Sequence, residues 1–407
     1  MDSRPDPAPD PTGDGPRPAR LPSLTGLRFP AALAVFAYHA TLPIPALRVL
    51  ADEGAVGDGY RLFGQAGALG VTFFFVLSGF VLTWSARDAD RPTAFWRRRY
   101  VKIVPPYVVA WLLAMVLFAG AYTPAWRAVL NLFMLQVWVP DFDTNFSVDP
   151  PSWSLATEAI FYLAFPLLLP LVRRIRPERL LAWAGAVVAA IVATPALAYW
   201  LLPDTPGIPG GELASTSQYF AAYVVPPPRV LDFLLGMIVA RAVLTGRWRS
   251  IGIVPSAILL LGGYLLTEQV PYLYGQRATC VLPAALLIAS VALADVRGRT
   301  TVLRSRVMVF LGEISFAFYL LHFIALAYGR KLLGYDRLLS TGAGVAFLLG
   351  LLVVAVLASW LLYIAVERPI TQRWSTSRRR PATPLDPVEP PAPRAPADPV
   401  PGEENRR

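Results

Sequence analysis

The chain has 407 residues, of which 55% are hydrophobic and only 16% are charged, and its mean hydropathy is +0.49. A soluble protein of this length carries about 25% charged residues, so the composition excludes an ordinary soluble domain. The net charge of +10 is also found in nucleic-acid-binding proteins, but its distribution here follows the pattern of membrane topology. We therefore predict no nucleic-acid partner. The single cysteine, Cys280, lies in an apolar run, which excludes a disulfide framework and indicates a small buried residue.

Apolar runs of about 20 residues recur along the chain and predict an all-α integral membrane protein in a lipid bilayer. We predict ten transmembrane helices, at approximately 24–45, 66–85, 101–121, 153–172, 180–201, 226–244, 251–268, 278–295, 307–327 and 342–364. Segment 126–139 is apolar but short, and we interpret it as a re-entrant or interfacial helix on the outer side. An eleven-span count, in which this segment crosses the bilayer, is the alternative.

The basic residues predict the orientation of these helices. With ten spans, 29 of the 37 Lys and Arg residues fall on one side of the membrane. Because Lys and Arg concentrate in cytoplasmic loops, both termini are predicted to be cytoplasmic, and the protein to be multi-pass in the inner (plasma) membrane. Residues 1–20 and 374–407 are rich in Pro and charged residues and are expected to be disordered tails around a membrane domain at 21–373. The first 20 residues lack the apolar core of a cleavable signal peptide, so the first helix is expected to remain as an anchor.

Only two histidines occur in the chain, His39 and His322, and both lie about 15 residues into predicted helices that run outward. Their similar depth predicts a shared site. Imidazole is the side chain best suited to move protons near neutral pH. Ionisable groups inside a bilayer are costly, so they are functional candidates. The alternative is that each is a buried histidine bonded to a neighbouring helix.

Two further ionisable residues are predicted to face the protein interior near the histidines. Arg28 precedes His39 by eleven residues, so the two share one face of the first helix, about 16 Å apart along its axis. Glu158 is predicted to lie in the outer half of the fourth helix, where a carboxylate can orient an imidazole. Alternatively, Glu158 pairs with an arginine such as Arg229, although Arg229 and Asp232 are also spaced to form a pair of their own.

A polar stripe runs along the ninth helix. Ser315, Tyr319 and His322 follow i, i+4, i+7 spacing and therefore lie on one face. They are candidates for a site facing the histidine of the first helix. The alternative is a stripe of polar residues that holds helices together in the membrane.

Basic residues also cluster at the cytoplasmic start of the third helix. Arg98, Arg99 and Lys102 are candidates for holding the phosphates of an anionic ligand, whereas contact with lipid headgroups would explain them equally well. The sequence contains no Walker loop, dinucleotide fingerprint, Gly-x-Ser-x-Gly elbow or metal-ligand cluster. These absences disfavour ATP-driven pumping and serine hydrolysis, and no metal is predicted.

Four motifs, in this order, resemble those of the membrane-bound acyltransferase-3 family of O-acyltransferases, and the resemblance covers roughly residues 21–370. They are Leu24-Thr-Gly-Leu-Arg28 with His39; Gly70-Val-Thr-Phe-Phe-Phe-Val-Leu-Ser78-Gly79-Phe80; Trp153-Ser154-Leu155 with Glu158, Phe161, Tyr162 and Pro166; and Ser315 to His322, in which Phe316 replaces the usual tyrosine. One departure is that the second arginine of the family's cytoplasmic Arg-x-x-Arg is Lys102 here. No SGNH hydrolase-like domain is recognisable, so the chain is similar to the stand-alone form.

The resemblance implies transfer of an acyl group, expected to be acetyl, from cytoplasmic acyl-CoA to a hydroxyl of a glycan or of a glycosylated or macrolide small molecule. It implies that His39 is the general base, that Glu158 orients it or helps to bind the acceptor, and that Arg28 stabilises the thioester oxygen or a phosphate. The residues implied for binding are Arg98, Arg99 and Lys102 for CoA, and Trp153, Arg229, Ser315, Tyr319 and His322 for the substrate. The Ala-, Arg- and Pro-rich composition is typical of a high-GC bacterium, in which modification of polysaccharides or of macrolides is plausible.

Two other functions fit the same residues. Buried His, Arg and Glu side chains at mid-depth are also typical of a proton-coupled transporter or flippase of a glycan or small molecule. A family member that retains only a binding function is a third reading, which Arg28 and His39 argue against.

Overall fold

The computed structural model describes residues 21–87, 90–209 and 213–374. In these ranges the chain is almost entirely helical and contains no β-strand, only isolated bridges between Leu50 and Leu339 and between Gly207 and Ser215. The predicted tails at 1–20 and 374–407 lie outside the described residues, apart from Trp374, which ends the last helix.

Sixteen α-helices follow one another in the described residues, interrupted by short 3₁₀ and π turns. They are α1 (Pro22–Thr41), α2 (Glu53–Phe63), α3 (Ala66–Trp84), α4 (Pro92–Leu117), α5 (Ala125–Leu132), α6 (Phe142–Asn145), α7 (Ser152–Arg174), α8 (Leu180–Leu201), α9 (Thr216–Tyr219), α10 (Pro226–Leu244), α11 (Ile253–Leu266), α12 (Tyr272–Gly275), α13 (Ala278–Val296), α14 (Arg306–Leu333), α15 (Thr341–Leu362) and α16 (Arg368–Trp374).

Eight helical segments of the described chain are long and apolar enough to cross a membrane, judged by length and composition. They are Glu53–Trp84, Pro92–Leu117, Ser152–Arg174, Pro177–Leu201, Thr216–Leu244, Tyr272–Val296, Arg306–Leu333 and Thr341–Trp374. Each coincides with one of the ten predicted spans, so the prediction of an all-α, multi-pass membrane protein is confirmed.

The other two predicted spans correspond to α1 and α11. Helix α1 has 20 residues, which at 1.5 Å per residue is about 30 Å, but it carries Arg28 and His39 and is less apolar than the eight. Helix α11 has 14 residues and continues as a 3₁₀ turn over Thr267–Gln269. The count of ten and the cytoplasmic position of both termini remain predictions.

The ambiguous segment 126–139 forms a short helix rather than a long one. Helix α5 has eight residues, and a 3₁₀ turn follows at Gln136–Trp138. Eight residues rise only about 12 Å, less than half of the hydrocarbon thickness. Trp126 and Phe133 are exposed, as expected for a helix that lies at the membrane interface.

The helices form an inner and an outer layer. Over their most apolar stretches, α3, α10, α13 and α14 are more than half buried, whereas α4, α8 and α15 are less than one third buried. The outer helices instead expose apolar side chains such as Val116, Trp200 and Leu361. A helix that is apolar on its exposed face belongs in lipid, so the inner layer is the part of the protein that can hold a polar site.

Small residues allow the inner helices to pack closely. A Cβ atom on Gly79 of α3 would lie 1.9 Å from the carbonyl oxygen of Phe233, and one on Gly236 of α10 would lie 1.9 Å from that of Val76. The backbones of α3 and α10 are therefore in contact, as in other membrane helix pairs with small residues at their interface.

We expect Gly79→Ala to destabilise the protein by about 1–3 kcal/mol, the usual effect of adding a group to a packed interior. The matched control is Gly350→Ala in α15, where nothing lies within 4 Å of the added Cβ and where helix propensity alone favours alanine. Thermal unfolding of both variants in one detergent measures the difference. Equal transition temperatures would contradict the close α3–α10 contact.

Candidate active site

The two histidines meet in the inner layer. The Nε2 atom of His322 lies 3.1 Å from the Nδ1 atom of His39, and the ring centroids are 5.0 Å apart. His322 is fully buried and His39 is nearly so. The predicted proximity of two residues 283 positions apart is therefore seen in the structure, on the crossing of α1 and α14.

Backbone carbonyls and aromatic rings complete the surroundings of the pair. Nδ1 of His39 also lies 2.9 Å from the carbonyl oxygen of Val35, and Nδ1 of His322 lies 2.8 Å from that of Tyr319. The rings of Tyr38 and Phe323 approach His39 edge-on at 4.8 and 5.3 Å. No described residue hydrogen-bonds Nε2 of His39, so this nitrogen is the one left for a substrate.

A cavity of about 570 Å³ is lined by α1 and α14 together with α3, α4 and α7. Its polar lining residues are Thr25, Arg28, Ser78, Ser85, Arg99, Lys102, Ser154, Glu158, Tyr162, Glu313, Ser315 and Tyr319. Tyr319 links the cavity to the histidine pair, because its ring centroid lies 5.7 Å from that of His322. Ligand sites of proteins typically have volumes of about 300–1,000 Å³, so the cavity is large enough for a substrate.

Three cationic side chains line the cavity without an ion-pair partner among the described residues. Lys102 is close enough to Arg28 and Arg99 to be repelled by both, and it is attracted by Glu367 and Glu158. Cations that converge on a partly buried space without direct partners favour the binding of an anion.

The carboxylate of Glu158 lies in this cavity rather than against an imidazole. Its Oε1 atom accepts a hydrogen bond of 2.6 Å from the hydroxyl of Tyr162, and it attracts the charges of Arg99 and Lys102. No hydrogen bond joins Glu158 to His39 in the structure. The side-chain atom within hydrogen-bonding distance of His39 is Nε2 of His322, and the role of Glu158 in orienting His39 or binding the acceptor stays a prediction.

The three basic residues predicted to bind CoA separate into two groups. Arg99 and Lys102 line the cavity, and the guanidinium of Arg99 lies over the rings of Phe95 and Tyr162. Arg98 is absent from the lining and forms an ion pair with Asp90. The structure thus brings Arg99 and Lys102, but not Arg98, to the candidate site.

The five residues predicted to bind the substrate also divide. Ser315 and Tyr319 line the cavity, and the Tyr319 hydroxyl lies 2.6 Å from that of Ser154. His322 does not line the cavity, but its ring packs against that of Tyr319, which does. Trp153 is buried between aromatic rings, at 4.9 Å from that of Tyr223, and does not line the cavity.

Arg229 likewise lies away from the cavity, in a buried ionic cluster. It is fully buried and forms an ion pair of 3.1 Å with Asp232, which also pairs with Arg277 at 3.2 Å. Its guanidinium lies over the rings of Phe75 and Tyr223. The i, i+3 spacing of Arg229 and Asp232 had indicated this pair as an alternative. The pair places Arg229 in the packed interior rather than in the cavity.

Asp149, in the loop just before α7, is a buried carboxylic acid that no sequence pattern indicated. It is 1% exposed, and neither oxygen of its carboxylate has a hydrogen-bond partner among the described residues. Burial raises the pKa of this carboxyl well above its ordinary value of 3.8. A lone Asp in a loop gives no periodic signal, so only the folded structure reveals its burial.

These features define a class of protein: a multi-pass helical membrane enzyme in which a histidine pair lies beside a cavity suited to an anion. No group of three or more potential metal ligands occurs in the described part of the chain.

Comparison with known sequences gives the family. Residues 21–364 match the family model of an acyltransferase domain, and the chain belongs to the acyltransferase-3 family of membrane-integral O-acyltransferases. The resemblance carried by the four motifs is therefore confirmed.

Individual relatives agree with this family. Acyltransferase MdmB of Streptomyces mycarofaciens is 43% identical to the chain over 380 residues, which cover 90% of the chain and 95% of that protein. Exopolysaccharide production protein ExoZ of Rhizobium meliloti is 28% identical over 77% of the chain and 92% of its own length. O-acetyltransferase OatA of Staphylococcus aureus is 23% identical over 75% of the chain and 50% of its own length. No solved structure is significantly similar to the chain.

The buried carboxyl of Asp149 predicts a pH dependence of stability. Because its pKa is higher in the folded than in the unfolded protein, its contribution is most favourable below the ordinary value and is lost as the pH rises, by at most about 1.4 kcal/mol per pH unit. We expect Asp149→Asn to raise the unfolding temperature more at pH 8 than at pH 5. The control is Asp204→Asn at an exposed position. A gain that is the same at both pH values would show that Asp149 is not held protonated by the fold.

Proposed function

We propose that the protein transfers an acyl group, expected to be acetyl, from acyl-CoA to a hydroxyl of a glycan or of a glycosylated or macrolide small molecule. The donor enters from the cytoplasmic side of the plasma membrane, where α1 begins. The observation that carries the proposal is the cavity with three cationic lining residues, which Tyr319 connects to the histidine pair in a member of an acyltransferase family.

The cavity supports a nucleotide-bearing thioester as the donor. Arg28, Arg99 and Lys102 supply positive charge for its phosphates, and the apolar walls contributed by residues such as Phe74 and Leu155 suit its pantetheine arm. Arg28 lies about 16 Å below His39 along α1. That distance favours contact with a phosphate over contact with the thioester oxygen.

His39 is proposed as the general base. Its Nε2 atom takes the proton of the acceptor hydroxyl as the hydroxyl oxygen attacks the thioester carbonyl. When the carbon–sulfur bond breaks, the same proton passes to the departing sulfur, so that the ester and free CoA are formed and His39 returns to its starting state. The hydroxyls of Ser154 and Tyr319 both line the cavity and lie 2.6 Å apart, and both have the carbonyl oxygen of Pro151 as an acceptor. Either hydroxyl would have to turn away from its present acceptor to donate to the oxygen that becomes negative.

The acceptor is proposed to reach His39 from the outer side. Ser315 and Tyr319 shape the space in which the acyl group and the acceptor meet, and Glu158 is available to accept a hydrogen bond from a substrate hydroxyl. The names of the relatives agree with this reading, since one is an O-acetyltransferase and another takes part in exopolysaccharide production.

The division among the basic residues predicts which of them hold the donor. We expect Arg99→Gln and Lys102→Gln each to weaken the binding of acetyl-CoA by about tenfold to a hundredfold, the effect of losing one charged hydrogen bond. Arg98→Gln is the matched control, because Arg98 pairs with Asp90 outside the cavity. Equilibrium binding of radiolabelled acetyl-CoA to the detergent-purified protein measures all three. If the three variants lose affinity equally, the cavity is not the donor site.

The proposed base predicts the effect of replacing His39. We expect His39→Ala to lower turnover by about two to four orders of magnitude, while acetyl-CoA binding is retained because His39 does not line the cavity. The assay is release of CoA thiol from acetyl-CoA in the presence of a panel of sugar and macrolide acceptors. Near-normal release by a folded His39→Ala variant would refute the assignment. Wild-type protein that neither binds acetyl-CoA nor releases CoA with any acceptor would refute the function.

A further inference from the structure

His322 has a different environment from the residues that line the cavity. Its side chain is fully buried, and the protein itself occupies both of its ring nitrogens. A residue in this position cannot also bind a substrate through the ring. Its contacts instead determine where protons lie on the neighbouring histidine.

The first contact settles the tautomer of His322. Its Nδ1 atom lies 2.8 Å from the carbonyl oxygen of Tyr319 and 3.2 Å from that of Phe318. A carbonyl oxygen can only accept a hydrogen bond, so Nδ1 of His322 must carry the proton. In a neutral ring, Nε2 then has a free lone pair and is an acceptor.

The second contact determines the tautomer of His39. The Nδ1 atom of His39 lies 2.9 Å from the carbonyl oxygen of Val35 and 3.1 Å from Nε2 of His322. Both neighbours are acceptors, so Nδ1 of His39 must be the donor. The lone pair of His39 is therefore on Nε2, to which no described residue hydrogen-bonds.

We propose that His322 is a positioning residue, which holds His39 in the tautomer and orientation that present the Nε2 lone pair to the acceptor hydroxyl. After His39 takes the acceptor proton on Nε2, its Nδ1–H still points at two acceptors. This is the task that a carboxylate performs in the Ser-His-Asp triad. A neutral imidazole performs it here, and it avoids placing a second charge inside the bilayer, where an ionised carboxylate is costly.

This inference rests on the proposed role of His39 as the base, but the histidine count allows it to be tested separately. Because the chain has two histidines, protein purified without a histidine tag and labelled with ¹⁵N-histidine gives only two sets of imidazole signals. We expect both rings of the resting protein to be neutral, with a protonated Nδ1 and an unprotonated Nε2. A His39 ring that is protonated on Nε2 instead would overturn the proposal, whether or not the protein turns over acyl-CoA.

Two variants of His322 separate positioning from acceptor binding. The substitution His322→Gln is expected to place an amide oxygen near the position of the imidazole Nε2, so it keeps an acceptor for His39, whereas His322→Leu removes it. We expect His322→Leu to lower kcat at least about tenfold, the effect of one lost hydrogen bond, with unchanged KM for the acceptor, and His322→Gln to recover part of this loss.

The same pair of variants has outcomes that contradict the proposal. An unchanged kcat in His322→Leu would show that His322 does not support His39. A raised acceptor KM with unchanged kcat would show that His322 binds the acceptor. Acetyl-CoA binding by each variant verifies that the protein is folded, and a loss of kcat of equal size in both variants would indicate a packing role, which also contradicts positioning.

Discussion

The contact between the imidazoles of His39 and His322 depends on how closely α1 and α14 approach. At the other end of the same two helices, a Cβ atom on Gly312 would lie 1.9 Å from the carbonyl oxygen of Thr25, so the backbones touch there. Between the two ends, the ring of Phe318 packs against Phe29 at 5.4 Å. A glycine contact, an aromatic contact and the imidazole pair thus follow one another along a single crossing, and the cavity runs beside it. A change in the tilt of α1 against α14 about the glycine contact would therefore alter the distance between the two imidazoles at the far end of the crossing.

Charged side chains in the inner layer have two kinds of surroundings. In the cluster of Arg229, Asp232 and Arg277, the charges pair with one another, and Arg277 also donates to two carbonyl oxygens. Such a cluster is costly to bury, and its ion pairs join α10 to the start of α13. Arg28 and Lys102, by contrast, face a cavity and have no direct partner among the described residues. Basic residues therefore differ in function between the two places. The presence or absence of a paired acidic residue, rather than the charge itself, distinguishes a structural arginine from one that can bind a ligand.

Much of the architecture could be predicted from the sequence because apolar segments of about 20 residues cross a bilayer as helices. The proximity of His39 and His322 could also be predicted, because helical rise alone puts both residues at a similar depth. The choice between Arg98 and Arg99 could not be predicted, because neighbouring residues point about 100° apart and the rotation of α4 depends on its packing. The hydrogen-bond partner of Glu158 also differed from the predicted imidazole or arginine. It is Tyr162, one turn away on the same helix, which donates to the carboxylate.

The cavity receives lining residues from the long helices and from the chain just before α1, and from none of the short helices α2, α5, α6, α9 and α12. The lining includes Ser154 and Tyr319 but neither histidine. For the proposed transfer, the bulky donor would therefore stay in the cavity, and only its small acyl group would come within reach of His39. A bundle that passes the acyl group but not the donor would let the reaction proceed without opening a path for ions, so that a cell would keep its gradients.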